Sequence, residues 1–209
     1  MAIMRLDKFL SHMGYGTRKE VKDLIKKGLV EIDGKPIKKP ETKVADDTTV
    51  YVEGIPLNYI QYEYYLLNKP QGCISATQDA NYPTVMDFVF PIRNDCAPVG
   101  RLDLDTEGAL LITNDGKLSH KLLSAKHHVP KKYYVEVENK LPGDAKERFS
   151  QPMEFEEFTS LPATYQAIDD THAYLTIVEG KYHQVKRMFE RIGCPVTFLK
   201  RVEFGFLNL

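Results

Sequence analysis

Cysteine is scarce. The chain has only Cys73, Cys96 and Cys194, far apart and without a C-x-x-C spacing. That excludes a disulfide framework and a cysteine-held zinc site, and fits a reducing cytoplasmic setting. No apolar run approaches the length of a membrane span, and the opening MAIMRLDKFLSHMG lacks the basic-then-apolar pattern of a signal peptide. A phosphate-gripping G-x-x-x-x-G-K-[ST] loop, a dinucleotide fingerprint and a Ser/His/Asp triad signature are all missing. His127, His128 and His183 do not have metal-ligand spacing. There is no internal repeat and no low-complexity segment. These absences lead us to expect a soluble, cytoplasmic protein that uses no metal and no cofactor and has no membrane partner.

What is present is enough for a real core: 209 residues, 43% of them hydrophobic, sufficient for one large or two small domains. The formal net charge of −1 hides an uneven distribution. Residues 4–43 hold 11 Lys and Arg against 6 Asp and Glu, and residues 181–209 hold 6 against 2. Basic ends around a more acidic middle suit a polyanion touched at two places, although charge alone is equally satisfied by a solvated face.

Leu6, Phe9, Leu10 and Met13 recur at helical spacing until Gly14. Thr17–Glu20, TRKE, is a capping-box pattern that opens a second helix, stopped by Gly28. Val21, Leu24 and Ile25 share one face of it, and Arg18, Lys19, Lys22 and Lys26 gather on the other. Short strands around Leu29–Ile32 and Val50–Val52 follow, with residues 54–62 reading as a linker. Beyond it, strand signals at Tyr64–Leu67, Ala109–Thr113, Tyr133–Val137 and Tyr174–Val178 alternate with helical patterns at Lys117–Ser124 and His183–Ile192. The expected fold class is α+β with a mainly antiparallel sheet, divided into domains at 1–57 and 58–209.

The segment GRLDLDTEGALLITNDG, Gly100–Gly116, sets Asp103 and Asp105 beside an apolar run. An acid next to a core needs a partner or a task. Paired carboxylates suit glycoside hydrolysis; a turn whose Asp side chains satisfy backbone N–H groups explains them equally. Leu110, Leu111 and Ile112 need only a core role.

MRLDKFLSHMGYGTRKEVKDLIKKGLVEIDGKPIKKP resembles the S4 RNA-binding module. That resemblance implies an αα-β platform for structured RNA, with Arg5, Thr17, Arg18, Lys19, Lys22 and Lys26 as its contacts. Cations on a fixed helix would meet phosphates with little base reading. In order, LLNKPQG, GRLDLDTEG, KKYYVEVE and EGKYHQVKRMFERIG resemble the motifs of RNA pseudouridine synthases, in the branch with an N-terminal S4 module that modifies ribosomal RNA. The resemblance spans Met4 to Leu207.

Carried over by that resemblance, Asp103 matches the family's single catalytic aspartate, whereas Asp105 falls at a variable position. The reaction breaks the N-glycosidic bond of a uridine and rejoins the base through C5. It consumes no water, so one carboxylate suffices. Lys186 matches the basic residue that pairs with the aspartate, a cation being needed to oppose desolvation of the charge. Tyr134 matches the tyrosine that stacks on the target base, with Tyr133 facing the other way along the strand. Arg101 resembles a residue that holds RNA open around the extruded uridine. Lys181 and Arg187 are further RNA-binding candidates, and Lys69, Tyr182 and His183 are expected at the rim. KYHQVKRMF and HHVPKKY look more like the small-subunit (16S) group than the large-subunit (23S) group. The resemblance therefore implies a monomeric enzyme acting on small-subunit ribosomal RNA. Its rivals are a large-subunit enzyme and a non-catalytic RNA-binding or ribosome-assembly protein. Relatives usually run on past the last strand with a G-x-x-R-x-L-type segment where this chain reads VEFGFLNL, which leaves the sheet edge near the site open.

Overall fold

A computed structural model describes residues 3–209 and divides the chain into two compact units. The first runs to Glu63 and takes in Phe90–Cys96; the second holds Tyr64–Val89 and Ala97–Leu209.

The first unit begins with β1 (Ile3–Arg5), α1 (Leu6–His12) and α2 (Arg18–Lys26). It continues with β2 (Val30–Ile32), β3 (Lys35–Pro36), β4 (Lys43–Ala45), β5 (Val50–Val52) and β6 (Ile55–Leu57). The helical spacing read from the sequence is the core: Leu6, Phe9, Leu10, Val21 and Ile25 are fully buried and pack on Val30 and Val50. The capping box forms as written, Thr17 and Glu20 each accepting a backbone N–H from the other. β6 occupies part of the expected linker, extending a sheet in the order β3-β2-β5-β6. Tyr59 and Ile60 pack on this core too.

Residues 90–96 are clipped to this unit by Arg93. Its guanidinium pairs with Asp95 and donates to the Tyr59 hydroxyl at 2.7 Å and the Ile60 carbonyl at 2.9 Å. Glu63 accepts the backbone N–H groups of Ile92 and Arg93. Gly14, at φ 76°, is required here, because a Cβ would lie 2.9 Å from the Ile92 carbonyl oxygen.

The second unit is built from β7 (Tyr64–Lys69), β8 (Ala97–Pro98), β9 (Glu107–Thr113), α3 (Gly116–Leu123), β10 (Lys131–Val137) and α4 (Ala145–Phe149). Then come β11 (Thr164–Ala167), β12 (His172–Ile177), α5 (Gln184–Arg191), β13 (Val196–Phe204) and β14 (Leu207–Asn208). The sheet runs β11-β12-β10-β13-β9-β7, with β14 on β13 and β8 on β9. It is antiparallel except where β9 meets β13 in parallel, at Lys200 opposite Glu107 and Arg201 opposite Gly108. That join explains Gly108: at φ 110° the backbone of Arg201 runs so close that any Cβ would overlap its carbonyl group. The strand carrying the apolar run, β9, is buried from Gly108 to Thr113, as expected of a central strand. α5 puts Val185, Met188 and Phe189 on the sheet, with the Phe189 ring 4.8 Å from that of Phe149. Its opposite face carries Lys186, Arg187 and Arg191. The sequence fold class holds: an S4 module and a mixed α/β second unit with mostly antiparallel pairing.

Candidate active site

The loop before β9 carries Asp103, and two buried groups fix its backbone. Lys69, at the end of β7, is completely buried. Its ammonium donates to the carbonyls of Asp103 and Thr106 at 2.9 Å each and to that of Pro70 at 3.0 Å. Burial pushes the Lys69 pKa down from its ordinary value, opposed by the nearby charges of Asp103, Asp105 and Glu107 among others. The expectation of Lys69 at the rim is thus corrected: it lies beneath the loop, because the carbonyls of a tight turn need a donor that water cannot supply there. From the other side, the Ser75 hydroxyl donates to the Leu102 carbonyl and accepts its N–H, both at 2.9 Å. Ser75 was not foreseen, since a lone serine in a loop carries no sequence signal.

So held, Asp103 faces a cavity of about 250 Å³. One wall is the loop with Arg101, Asp103 and Thr106; the floor is Tyr133, Leu199 and Arg201; the far lip is the turn from Glu179 into α5. The volume suits one nucleoside-sized group better than a larger ligand. The Asp103 carboxylate is 3.4 Å from Lys186 Nζ and 3.6 Å from His183 Nε2. Lys186 Nζ also lies 2.6 Å from Asp105 Oδ1, so the lysine bridges both acids. Burial pushes the Asp105 pKa up, but the hydrogen bond and charge of Lys186 outweigh it and hold that carboxyl below its ordinary value. Asp105, assigned no role from sequence, is therefore a partner that fixes Lys186 from the solvent side. Thr106 Oγ1 and one guanidinium nitrogen of Arg201 are buried without a hydrogen-bond partner. Orphaned polar atoms on a cavity wall are places where a bound molecule or water can supply the missing bond.

The structure corrects the tyrosine. Tyr133, not Tyr134, lines the cavity. The Tyr134 ring is on the other side of β10, against His172, Tyr174 and Phe198, and its hydroxyl donates to Glu136 at 3.1 Å. The two neighbours face opposite ways, and alternation along β10 is unbroken: Tyr133 falls on the face that buries Lys131, Val135 and Val137, and Tyr134 on the other with Lys132 and Glu136. Arg187 is corrected as well. Its guanidinium pairs with Glu157 and lies 5.0 Å from the rings of Phe155 and Phe158, one helical step away from the cavity.

Arg101 is exposed at the wall and Lys181 at the lip. In the first unit, Arg18, Lys19 and Lys26 are exposed on α2 and Lys22 is half-buried. Two residues expected as RNA contacts also have local partners. The Thr17 hydroxyl is engaged in the capping box, and Arg5 pairs with buried Asp7 at 2.8 Å, although half of the arginine stays exposed. Among the described residues no group of three or more His, Cys, Asp or Glu is arranged to hold a metal ion.

The chain thus joins a helix-pair unit to a mixed-sheet unit whose cavity is lined by Asp103 and Lys186. The model of the RNA pseudouridylate synthase family matches residues 63–191, and the S4 domain model matches residues 4–50. The chain belongs to the RNA pseudouridine synthase family, whose members are isomerases. It is 45% identical to the "Uncharacterized RNA pseudouridine synthase YtzG" of Bacillus subtilis, over 99% of this chain and 90% of that one. It is 36% identical to the ribosomal small subunit pseudouridine synthase A of Haemophilus influenzae, over 97% of this chain and 89% of that one. The ribosomal large subunit pseudouridine synthase B of Bacillus subtilis is 37% identical, over 98% and 87%. A crystal structure of a pseudouridylate synthase superposes with a TM-score of 0.67 at 35% identity, covering 99% of this chain and 90% of that one.

Proposed function

We propose that this protein converts a uridine of small-subunit ribosomal RNA to pseudouridine, with Asp103 as the reacting carboxylate. The observation that carries it is Asp103 held at a nucleoside-sized cavity by the Lys69 cage, with Lys186 3.4 Å away and Tyr133 on the floor. The uridine enters the cavity by leaving its stack, and the N1–C1′ bond breaks beside Asp103. The freed uracil turns on Tyr133, and C5 bonds to C1′. C5 then loses its proton and N1 gains one, so no atom is added or lost. Lys186 supplies a positive charge beside the Asp103 carboxylate, and Asp105 holds Lys186. Arg101 and Lys181 at the wall and lip, and Arg18, Lys19, Lys22 and Lys26 on α2, are the cations that RNA phosphates would meet.

KYHQVKRMF favours RNA from the small ribosomal subunit, and so does the likeness to the Haemophilus influenzae enzyme. The large-subunit reading has the 37% identical Bacillus subtilis enzyme in its favour. The experiment is a map of pseudouridines in ribosomal RNA from cells with and without the gene. Loss of one small-subunit pseudouridine is the expected result; loss of one in the large subunit moves the substrate to the rival reading, and an unchanged map ends both.

A further inference from the structure

The lip of the cavity carries an aromatic pair that the reaction above does not use. Tyr182 is 74% exposed, the highest exposure of any tyrosine among the described residues with large exposed apolar surface. Its ring is stacked on His183, centroids 3.9 Å apart and planes 17° from parallel. His183 lines the cavity and puts Nε2 3.6 Å from Asp103 Oδ1, so one ring of the pair is anchored to the reacting group and the other projects into solvent.

The backbone is arranged to keep them there. His183 sits at φ 48°, a left-handed conformation that non-glycine residues adopt only where surroundings enforce it. The enforcement is visible. Gln184 is buried, accepts the Lys181 N–H at 3.0 Å and donates to Glu179 Oε1 at 2.8 Å; the same Glu179 oxygen accepts the Leu161 N–H. A turn pinned at both ends and strained in the middle holds the exposed Tyr182 ring at the cavity lip.

We infer that the Tyr182–His183 stack is a docking platform for the nucleobase next to the uridine that enters the cavity. This rests on the reading of the cavity as a uridine site. A nucleotide drawn into a 250 Å³ pocket leaves its neighbour at the mouth with a stacking face uncovered. An already stacked aromatic pair offers that face a partner in place, with little ordering left to do on binding. Phosphates would go instead to Arg101 and Lys181, the cations on the same cavity. Any base has a stacking face, so the platform positions the strand without reading its sequence.

The probe is a short oligouridine with one 2-aminopurine, whose fluorescence falls when it stacks on an aromatic ring, titrated into the full chain. Wild type and Tyr182→Phe should quench it equally. Tyr182→Ala should abolish the quench and weaken binding roughly tenfold, the share of one stacked base, with an unchanged melting curve because the ring is exposed. Asp103→Asn should quench like wild type. Full quenching by Tyr182→Ala, absence of quenching by wild type, or loss in Tyr182→Phe equal to that in Tyr182→Ala overturns the platform. Fluorescence does not depend on turnover, so a wild-type protein that quenches the probe yet converts no uridine in ribosomal RNA would remove the substrate reading and leave the platform standing.

Discussion

Lys186 lies between two carboxylates, closer to Asp105 at 2.6 Å than to Asp103 at 3.4 Å. Removing its charge leaves two acids facing each other at the mouth of a cavity. Lys186→Met should therefore lower single-turnover conversion by about a hundredfold or more, a range typical of losing a preorganised charge beside a reacting centre. RNA affinity should stay within a few-fold, and Lys186→Arg should recover part of the rate. Asp105→Asn should slow the reaction less, because Lys186 retains Asp103. The tyrosines separate by readout. Tyr133→Ala should abolish turnover, while Tyr134→Ala should retain it and lower the melting temperature through lost contacts with His172, Tyr174 and Phe198. At this scale the sequence exposed Asp103 and Lys186 through two motifs. That Tyr133 and Tyr134 face opposite ways was equally legible from strand alternation. Which of them faces the cavity was legible too, since Tyr133 shares its parity with Val135 and Val137 and Tyr134 shares its own with Glu136; the choice of Tyr134 went against that alternation.

Elements place these groups through buried polar bonds that hydrophobic patterning cannot reveal. Lys69 ends an ordinary β-strand pattern, and nothing in NKPQG says that its ammonium will sit under the Asp103 loop. Lys69→Met would orphan the carbonyls it now serves, at about 1–3 kcal/mol for an unsatisfied buried group. The expected result is a melting temperature lower by several degrees together with loss of turnover, read by calorimetry and a conversion assay. The strap at residues 90–96 was likewise invisible, because its partners His12, Tyr59 and Glu63 come from distant sequence. Burial pushes the Asp95 pKa up, yet the hydrogen bond and charge of Arg93 hold it below its ordinary value. A carboxyl lowered on folding stabilises above its unfolded pKa, about 3.9, and the contribution is lost as pH falls through the folded value. Asp95→Asn should therefore lower the melting temperature at pH 7, and the difference should shrink as pH falls below the ordinary carboxylate range.

For the whole molecule, a net charge of −1 means that the proposed RNA attraction has to be local, and the exposed cations of α2 and the cavity rim are where we expect it. Replacing Lys19 or Lys26 by Ala should weaken binding to all structured RNA alike and reduce the slope of log affinity against log salt by somewhat under one each. Measuring affinity across a salt series checks it; a change confined to one sequence would contradict it. The expected division at residue 57 does not coincide with the compact units: residues up to Glu63 and the segment Phe90–Cys96 belong with the first, through contacts such as Arg93 to Tyr59 that no local pattern announces. The sheet order was not legible either, since the parallel contact of β9 with β13 brings together segments about ninety residues apart.

One carboxylate meeting the sugar of a uridine is the central claim, so the direct measurement is release of tritium from a small-subunit ribosomal RNA transcript labelled at uridine C5. Wild type should release one equivalent from a single site, and Asp103→Asn should release none while binding the transcript within a few-fold of wild type. Release by Asp103→Asn at the wild-type rate would contradict the claim outright.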